Sequence, residues 1–88
     1  MITVTKLTQT CEACPSQWEG YTDDDRAVYI RYRWGYLSVS VSEPGDLDVM
    51  HAVSGTEVFG RDIGGGLSGS MDFDGLKAAT EGHVKFDV

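Results

Sequence analysis

The sequence predicts an α+β domain, with an antiparallel β-sheet of about 4–6 strands built on a central hairpin and one C-terminal helix packed on it. Three features indicate this class. Two strand-like segments flank a two-residue turn mid-chain, further short β-branched segments lie between turn residues, and one late segment has the spacing and caps of a helix. The length of 88 residues suits a single domain, residues 1–88.

The central hairpin covers residues 27–42, AVYIRYRWGYLSVSVS. Trp34 and Gly35 are expected to form its turn, because glycine can take the positive φ that a type I′ turn requires. Pairing then runs from Arg33 with Tyr36 to Val28 with Val41. Side chains alternate across a strand, which gives an apolar face of Val28, Ile30, Tyr32, Leu37, Val39 and Val41 and a polar face of Tyr29, Arg31, Arg33, Tyr36, Ser38 and Ser40. A slip of one residue would expose apolar side chains and bury arginines, so this register is predicted.

Two strands are expected before the hairpin. Residues 2–8, ITVTKLT, are rich in β-branched residues and suit an edge strand. Residues 17–21 form the second, which ends at the three consecutive aspartates 23–25. A three-residue loop there would bury Trp18 opposite Ile30, whereas a four-residue loop would stack Trp18 on Arg31. The three-residue loop is preferred.

The chain after the hairpin begins with a turn over residues 43–46, EPGD, and continues into residues 47–53, which suit either a strand or a short helical turn. Residues 57–59 indicate a further strand, and the glycine-rich residues 64–69 a flexible loop.

The predicted helix spans residues 72–81. Ser70 or Asp72 can cap its start, its core side chains are Phe73, Leu76 and Ala79, and Gly82 suits the position just past its end. The alternation of Val84, Phe86 and Val88 with polar residues predicts a closing strand.

The chain is acidic, with 14 acidic residues against 7 basic ones and a net charge of −7. Residues 41–76 contain one base, Arg61, and these acids: Glu43, Asp46, Asp48, Glu57, Asp62, Asp72 and Asp74. Because phosphate binding needs Lys and Arg, nucleic acid is not an expected direct partner. A basic protein surface is expected instead, with acidity for solubility alone as the alternative. The sequence has neither a membrane-spanning run nor a signal-peptide pattern, so a cytoplasmic protein without membrane contact is expected.

Cys11 and Cys14 form a CxxC motif, a pattern found in metal and redox sites. A closed zinc site needs four ligands, and the remaining candidates, His51 and His83, do not have the usual spacing. Residues 70–81 place acids as an EF-hand loop does, but the serine at position 70 and Lys77 depart from that pattern and favour a capped helix. No metal or cofactor is expected, and a small metal-binding or redox protein using Cys11 and Cys14 is the alternative hypothesis.

Catalytic motifs are missing from the sequence. It contains no nucleophile elbow, no HExxH and no phosphate-binding GK[ST]. Asp46 and Asp48 lie in a predicted turn, where solvated aspartates are common, and His51 is interpreted as an ordinary histidine. The chain is therefore not expected to be an enzyme. The tyrosines and arginines on the polar face of the hairpin have the composition of a protein interface, although ordinary packing explains them as well.

In size, charge and architecture, the chain resembles the small acidic phage-encoded inhibitors called anti-CRISPR proteins, several of which block DNA access to Cas effectors. The resemblance is one of profile, and no motif carries it. It implies a protein-binding module, monomeric or weakly dimeric, that occupies a basic nucleic-acid-binding surface of a host bacterial protein in the cytoplasm, with carboxylates in place of DNA phosphates. The expected contacts lie in the two turns that flank the hairpin: Asp23, Asp24, Asp25, Glu43, Asp46 and Asp48. Self-association through an exposed sheet edge is a third hypothesis.

Overall fold

The protein, as a computed structural model, is described over residues 1–12, 16–63 and 71–88. These residues form a mixed α+β fold of one six-stranded sheet and two short helices. The elements are β1 (Ile2–Cys11), β2 (Ser16–Thr22), β3 (Ala27–Arg33), β4 (Tyr36–Val41), α1 (Val49–Val53), β5 (Thr56–Asp62), α2 (Phe73–Ala79) and β6 (Val84–Phe86). The strand order is β5-β4-β3-β2-β1-β6. The predicted glycine-rich loop at residues 64–69 lies outside the described residues.

The hairpin of β3 and β4 has the predicted register, from Arg33 opposite Tyr36 to Val28 opposite Val41. Trp34 and Gly35 form its turn with φ angles of 55° and 78°. Positive φ at both central residues is the signature of a type I′ turn, whose twist matches that of the strands. All six side chains of the predicted apolar face are buried.

The backbone N–H of Thr22 donates to the carbonyl oxygen of Arg26 at 3.0 Å, and this pair closes a loop of the preferred three residues, 23–25, between β2 and β3. Trp18 lies opposite Ile30 and is 2% exposed, so it belongs to the core and not to the polar face. The last loop residue, Asp25, has a φ of 60°, as expected where a three-residue hairpin loop ends in a left-handed residue.

Strand β1 corrects one prediction, because it lies inside the sheet, between β2 and β6, and not at an edge. Its first residues pair with β6 in parallel, Ile2 with Val84 and Val4 with Phe86. The sheet is therefore not wholly antiparallel. The parallel pair forms because the turn that follows α2 returns the chain to the end of the sheet at which β1 begins.

The ambiguous segment after the hairpin is resolved as a helical turn. Asp48 caps α1 by accepting a hydrogen bond from the backbone N–H of Met50, so a second short helix joins the single helix that was predicted. The C-terminal helix begins where predicted, with Asp72 as its cap, but it ends at Ala79 and gives way to a turn that contains Gly82, with a φ of 84°.

The sheet curls, and its concave side holds the core. Leu76 of α2 is fully buried there against the strands. The two edge strands approach each other across the opening of the curl, where the rings of Phe59 on β5 and His83 before β6 lie 5.2 Å apart. The buried cluster comprises Val4, Trp18, Val28, Ile30, Tyr32, Leu37, Val39, Val41, Phe59, Leu76 and Val84. The convex side carries the polar face of the hairpin, whose six side chains are partly or fully exposed.

Candidate functional site

The two acidic turns meet at one end of the sheet. The backbone N–H of Gly45 donates to the carbonyl oxygen of Asp25 at 2.8 Å, and the N–H of Ala27 donates to the carbonyl of Asp46 at 3.1 Å. Residues about twenty positions apart in sequence are thereby held side by side. We call this region the acidic end, and it contains all six predicted contact residues, namely Asp23, Asp24, Asp25, Glu43, Asp46 and Asp48.

Three of the six carboxylates are bound to neighbours within the fold. Asp24 accepts hydrogen bonds from the Thr22 hydroxyl and from Nε of Arg26, the latter at 2.9 Å. Thr22, followed by Arg26, holds the pKa of Asp24 below its ordinary value. The carboxylate of Asp48 caps α1.

Asp46 is the third bound carboxylate, and its partner His51 was not assigned a role from the sequence. Nδ1 of His51 lies 2.7 Å from Oδ2 of Asp46, and its Nε2 lies 3.8 Å from Oδ2 of Asp48. The hydrogen bond with Asp46 raises the pKa of His51. The backbone N–H of Asp48, followed by His51, lowers the pKa of Asp46. An aspartate five residues before a histidine, with a helix cap between them, is the signal that could have indicated this pair.

The other three carboxylates, Asp23, Asp25 and Glu43, are exposed. Their side chains form no hydrogen bond or ion pair with any residue in the described part of the chain. The backbone, in contrast, is anchored, because the N–H of Asp23 donates to the carbonyl of Thr3 on β1 at 3.0 Å. These three residues therefore present unneutralised negative charge from a rigid backbone.

A shallow groove crosses the convex face near the opposite end of β3. It has a volume of about 350 Å³, and we call it the arginine groove after its lining residues, Arg31, Arg33, Trp34, Tyr36 and Ser38. Trp34 is 56% exposed and Tyr36 is 43% exposed. The guanidinium of Arg33 lies 5.4 Å from the centre of the Trp34 ring. The groove is formed by residues of the hairpin's polar face, together with the turn.

Neighbouring residues fix the wall that Tyr36 forms. Its hydroxyl donates to the carboxylate of Glu57 at 3.3 Å, and desolvation, followed by this carboxylate, raises the pKa of Tyr36. A Cβ at Gly60 would overlap the Tyr36 hydroxyl. Gly60 has no side chain, and the Tyr36 hydroxyl occupies the space that a side chain there would fill.

The metal and redox hypothesis depends on Cys14, which lies outside the described residues, whereas Cys11 ends β1. Across residues 1–12, 16–63 and 71–88, no group of three or more His, Cys, Asp or Glu side chains is arranged to hold a metal ion. In the segment compared with an EF-hand, Asp72 caps α2 and Asp74 lies 3.6 Å from Lys77. Neither helix among the described residues is long and apolar enough to cross a membrane.

Comparisons with models of known protein families, with curated proteins and with solved structures found no match to this chain. The functional assignment therefore depends on the acidic end and the arginine groove themselves.

Proposed function

We propose that this protein is a non-enzymatic binding module whose acidic end occupies a basic, nucleic-acid-binding surface of another protein. The proposal extends to an inhibitor of the anti-CRISPR kind, acting in the cytoplasm of a bacterial host on a partner such as a Cas effector. Size and acidity support that extension.

One observation carries the proposal, the hydrogen bond from Gly45 to Asp25 that joins the two acidic turns. Like charges repel, so carboxylates are brought together only where the backbone geometry holds them. Here Asp23, Asp25 and Glu43 are held near one another with no neutralising side chain among the described residues. A rigid group of unpaired carboxylates can bind Lys and Arg side chains that would otherwise bind phosphates.

The other three acids have a different role in this proposal. Asp24, Asp46 and Asp48 shape the two turns through Arg26, His51 and the cap of α1. Removing one of them would alter the turns as well as the charge. The charges that test recognition are therefore those of Asp23, Asp25 and Glu43.

The test is capture of host proteins from a bacterial lysate by the tagged protein, at low and at raised salt, with the captured proteins identified by mass spectrometry. Each capture is repeated with duplex DNA as competitor. We expect a nucleic-acid-binding protein that is released by salt and displaced by DNA. The variant Asp23→Asn/Asp25→Asn/Glu43→Gln should bind that protein between about three- and 150-fold more weakly, since three exposed ion pairs contribute about 0.2–1 kcal/mol each.

A matched control makes the same change in net charge elsewhere. Glu12, Asp62 and Asp74 are exposed, and none of them lies in either acidic turn. The variant Glu12→Gln/Asp62→Asn/Asp74→Asn should retain binding within about twofold. Equal weakening by both variants would show that only the total charge matters, and a captured partner that DNA does not displace would overturn the proposal.

A further inference from the structure

The arginine groove contains an unsatisfied hydrogen-bond donor. Nε of Arg31 is buried and has no hydrogen-bond partner among residues 1–12, 16–63 and 71–88. No acidic side chain of the described residues forms an ion pair with either Arg31 or Arg33. Buried donors in folded proteins are nearly always satisfied, and one that is not calls for an explanation such as a bound ion or ligand.

Arg31 itself lines the groove, so a ligand held there on the convex side lies beside this buried donor. Arg31 lies opposite Ser38 on β4, and Ser38 lies opposite Gly60 on β5. Ser38 has a short side chain, whereas the space over Gly60 is occupied by the Tyr36 hydroxyl and the Glu57 carboxylate, which form a wall beyond it. A ligand that enters the groove therefore meets Arg31 next to the short side chain of Ser38.

The charge of the groove selects an anion. Arg31 and Arg33 are two positions apart on one strand, so both project from the same face. From Ala27 at the acidic end to Arg33, β3 rises about 20 Å, more than twice the Debye length of about 8 Å at physiological salt. The acidic end therefore does not cancel the local positive potential of the groove.

The number of cations favours a carboxylate over nucleic acid. Nucleic-acid binding is built from about 6–10 phosphate contacts, whereas the groove offers two guanidinium groups and the same face carries Glu19, Glu57 and Asp62. Two arginines suit one or two carboxylates, which guanidinium groups bind in bidentate geometry. The exposed rings of Trp34 and Tyr36 add apolar contact area, and Trp, Tyr and Arg are the residues most enriched at binding hot spots.

We propose that the arginine groove binds an acidic segment of a partner protein, with a carboxylate on Arg31 and Arg33 and an adjacent apolar or aromatic side chain between Trp34 and Tyr36. This site is separate from the acidic end and does not depend on the function proposed for it. The proposal for the arginine groove can be wrong while the proposal for the acidic end is right, and the reverse also holds.

The test is an NMR titration with two blocked pentapeptides, Gly-Glu-Phe-Glu-Gly and its neutral counterpart Gly-Gln-Phe-Gln-Gly. The signals followed are the Nε–H of Arg31 and the indole N–H of Trp34. We expect the acidic peptide to shift both signals in a saturable way and the neutral peptide to bind at least about tenfold more weakly, as a lost charge-assisted hydrogen bond requires. The same titration is run with a short oligothymidylate and with inorganic phosphate.

Variants locate the site. Arg31→Gln should weaken binding of the acidic peptide at least about tenfold, and Arg31→Lys should restore only part of it, because lysine keeps the charge without the fork of donors. Arg61→Gln is the matched control, because Arg61 is opposite Leu37 and stacks on Phe59, on the concave side. It should leave binding unchanged.

Three results would overturn the proposal. The first is no shift of the Arg31 Nε–H at millimolar acidic peptide. The second is equal binding of the acidic and neutral peptides, and the third is tighter binding of the oligothymidylate or of phosphate than of the acidic peptide. Amide spectra of each variant verify that the sheet is intact, so loss of binding is not mistaken for loss of fold.

Discussion

At the scale of single residues, His51 links the acidic turn to α1. Its ring contacts Asp46 at 2.7 Å and lies near Asp48, which caps the helix. A helix of five residues has little stability of its own. The position of α1 therefore depends on this group of side chains and on the burial of Ala52.

The pair of His51 and Asp46 predicts a pH dependence of stability. Because the pKa of His51 is raised in the folded state, its contribution is complete below the ordinary histidine value of 6.5 and is lost as the pH rises through the folded value. Because the pKa of Asp46 is lowered, its contribution is complete above the ordinary value of 3.8 and is lost as the pH falls through the folded value. The pair therefore stabilises the fold most between pH 3.8 and pH 6.5, the ordinary pKa values of the two groups.

Urea unfolding at about pH 5 and about pH 8 measures this effect. We expect the difference between the native protein and His51→Gln to be larger at the lower pH and to shrink at the higher one. Asp46→Asn should show the same loss, since it removes the other member of the pair. A difference that is independent of pH would contradict the assignment.

Gly20 is a second residue with a specific physical role. It lies opposite Val28 on β3, and a Cβ there would overlap the carbonyl oxygen of Lys6 on β1. Backbone atoms cannot move aside as a flexible side chain can. We expect Gly20→Ala to lower the free energy of unfolding by about 1–3 kcal/mol, whereas Glu19→Ala, on the convex face of the same strand, should change it by less than about 0.5 kcal/mol. Urea unfolding of both variants measures the difference, and equal effects would refute the steric explanation.

At the scale of elements, the β3–β4 turn combines strain with exposure. Trp34 has a φ of 55°, a region that costs a residue with a side chain about 1–2 kcal/mol. Asparagine followed by glycine is the favoured pair for such a turn. The tryptophan is half exposed and lines the arginine groove, so strain here accompanies a surface position and not a core one.

Trp34→Asn should therefore raise stability and weaken peptide binding together. The contact between Trp34 and Arg33 contributes about 0.5–1 kcal/mol at an exposed site, which is less than the strain that the substitution relieves. We therefore expect the free energy of unfolding to rise by up to about 1 kcal/mol. Trp34→Tyr, which keeps both an aromatic ring and the strain, should change stability by less than about 0.5 kcal/mol. Urea unfolding checks the first effect and the peptide titration the second. Lower stability of Trp34→Asn would show that its ring contacts outweigh the strain.

The elements that could be predicted are those whose structure is set by the local sequence pattern. The register of the central hairpin follows from alternating apolar residues and a two-residue turn, and the burial of Trp18 follows from loop length. The parallel pairing of β6 could not be predicted, because the direction of a three-residue strand is set by where α2 delivers the chain. The six acids could be assigned to turns, but the approach of those turns depends on the long-range bond from Gly45 to Asp25.

At the scale of the whole molecule, charge and shape are unevenly distributed. Hydrogen bonds gather the acidic turns at one end of β3, while the arginine groove lies towards its other end on the convex face. The curled sheet supports both, because each is built on β3 or on the turns that flank it. Two separate surfaces of opposite charge on one small fold allow two different partners.

Repulsion among the carboxylates of the acidic end is expected to lower the free energy of unfolding. Two like charges about 10 Å apart in water repel by about 0.4 kcal/mol before screening, and Asp23, Asp25 and Glu43 lack neutralising partners among the described residues. The variant Asp23→Asn/Asp25→Asn/Glu43→Gln should therefore unfold with a higher free energy than the native protein at low salt, by up to about 1 kcal/mol. Added salt should shrink that gap, since screening already removes the repulsion.

A second control, Glu12→Gln/Asp62→Asn/Glu81→Gln, separates two reasons for acidity, and it leaves Asp74 unchanged because that carboxylate pairs with Lys77. If the acids serve solubility alone, their positions are interchangeable, and both triple variants gain the same small stability with the same dependence on salt. If the acidic end serves recognition, repulsion is concentrated there, and its neutralisation stabilises the fold more than the control does while removing partner binding. Urea unfolding of the two variants across a salt series measures this, and a larger gain for the control would contradict recognition by the acidic end.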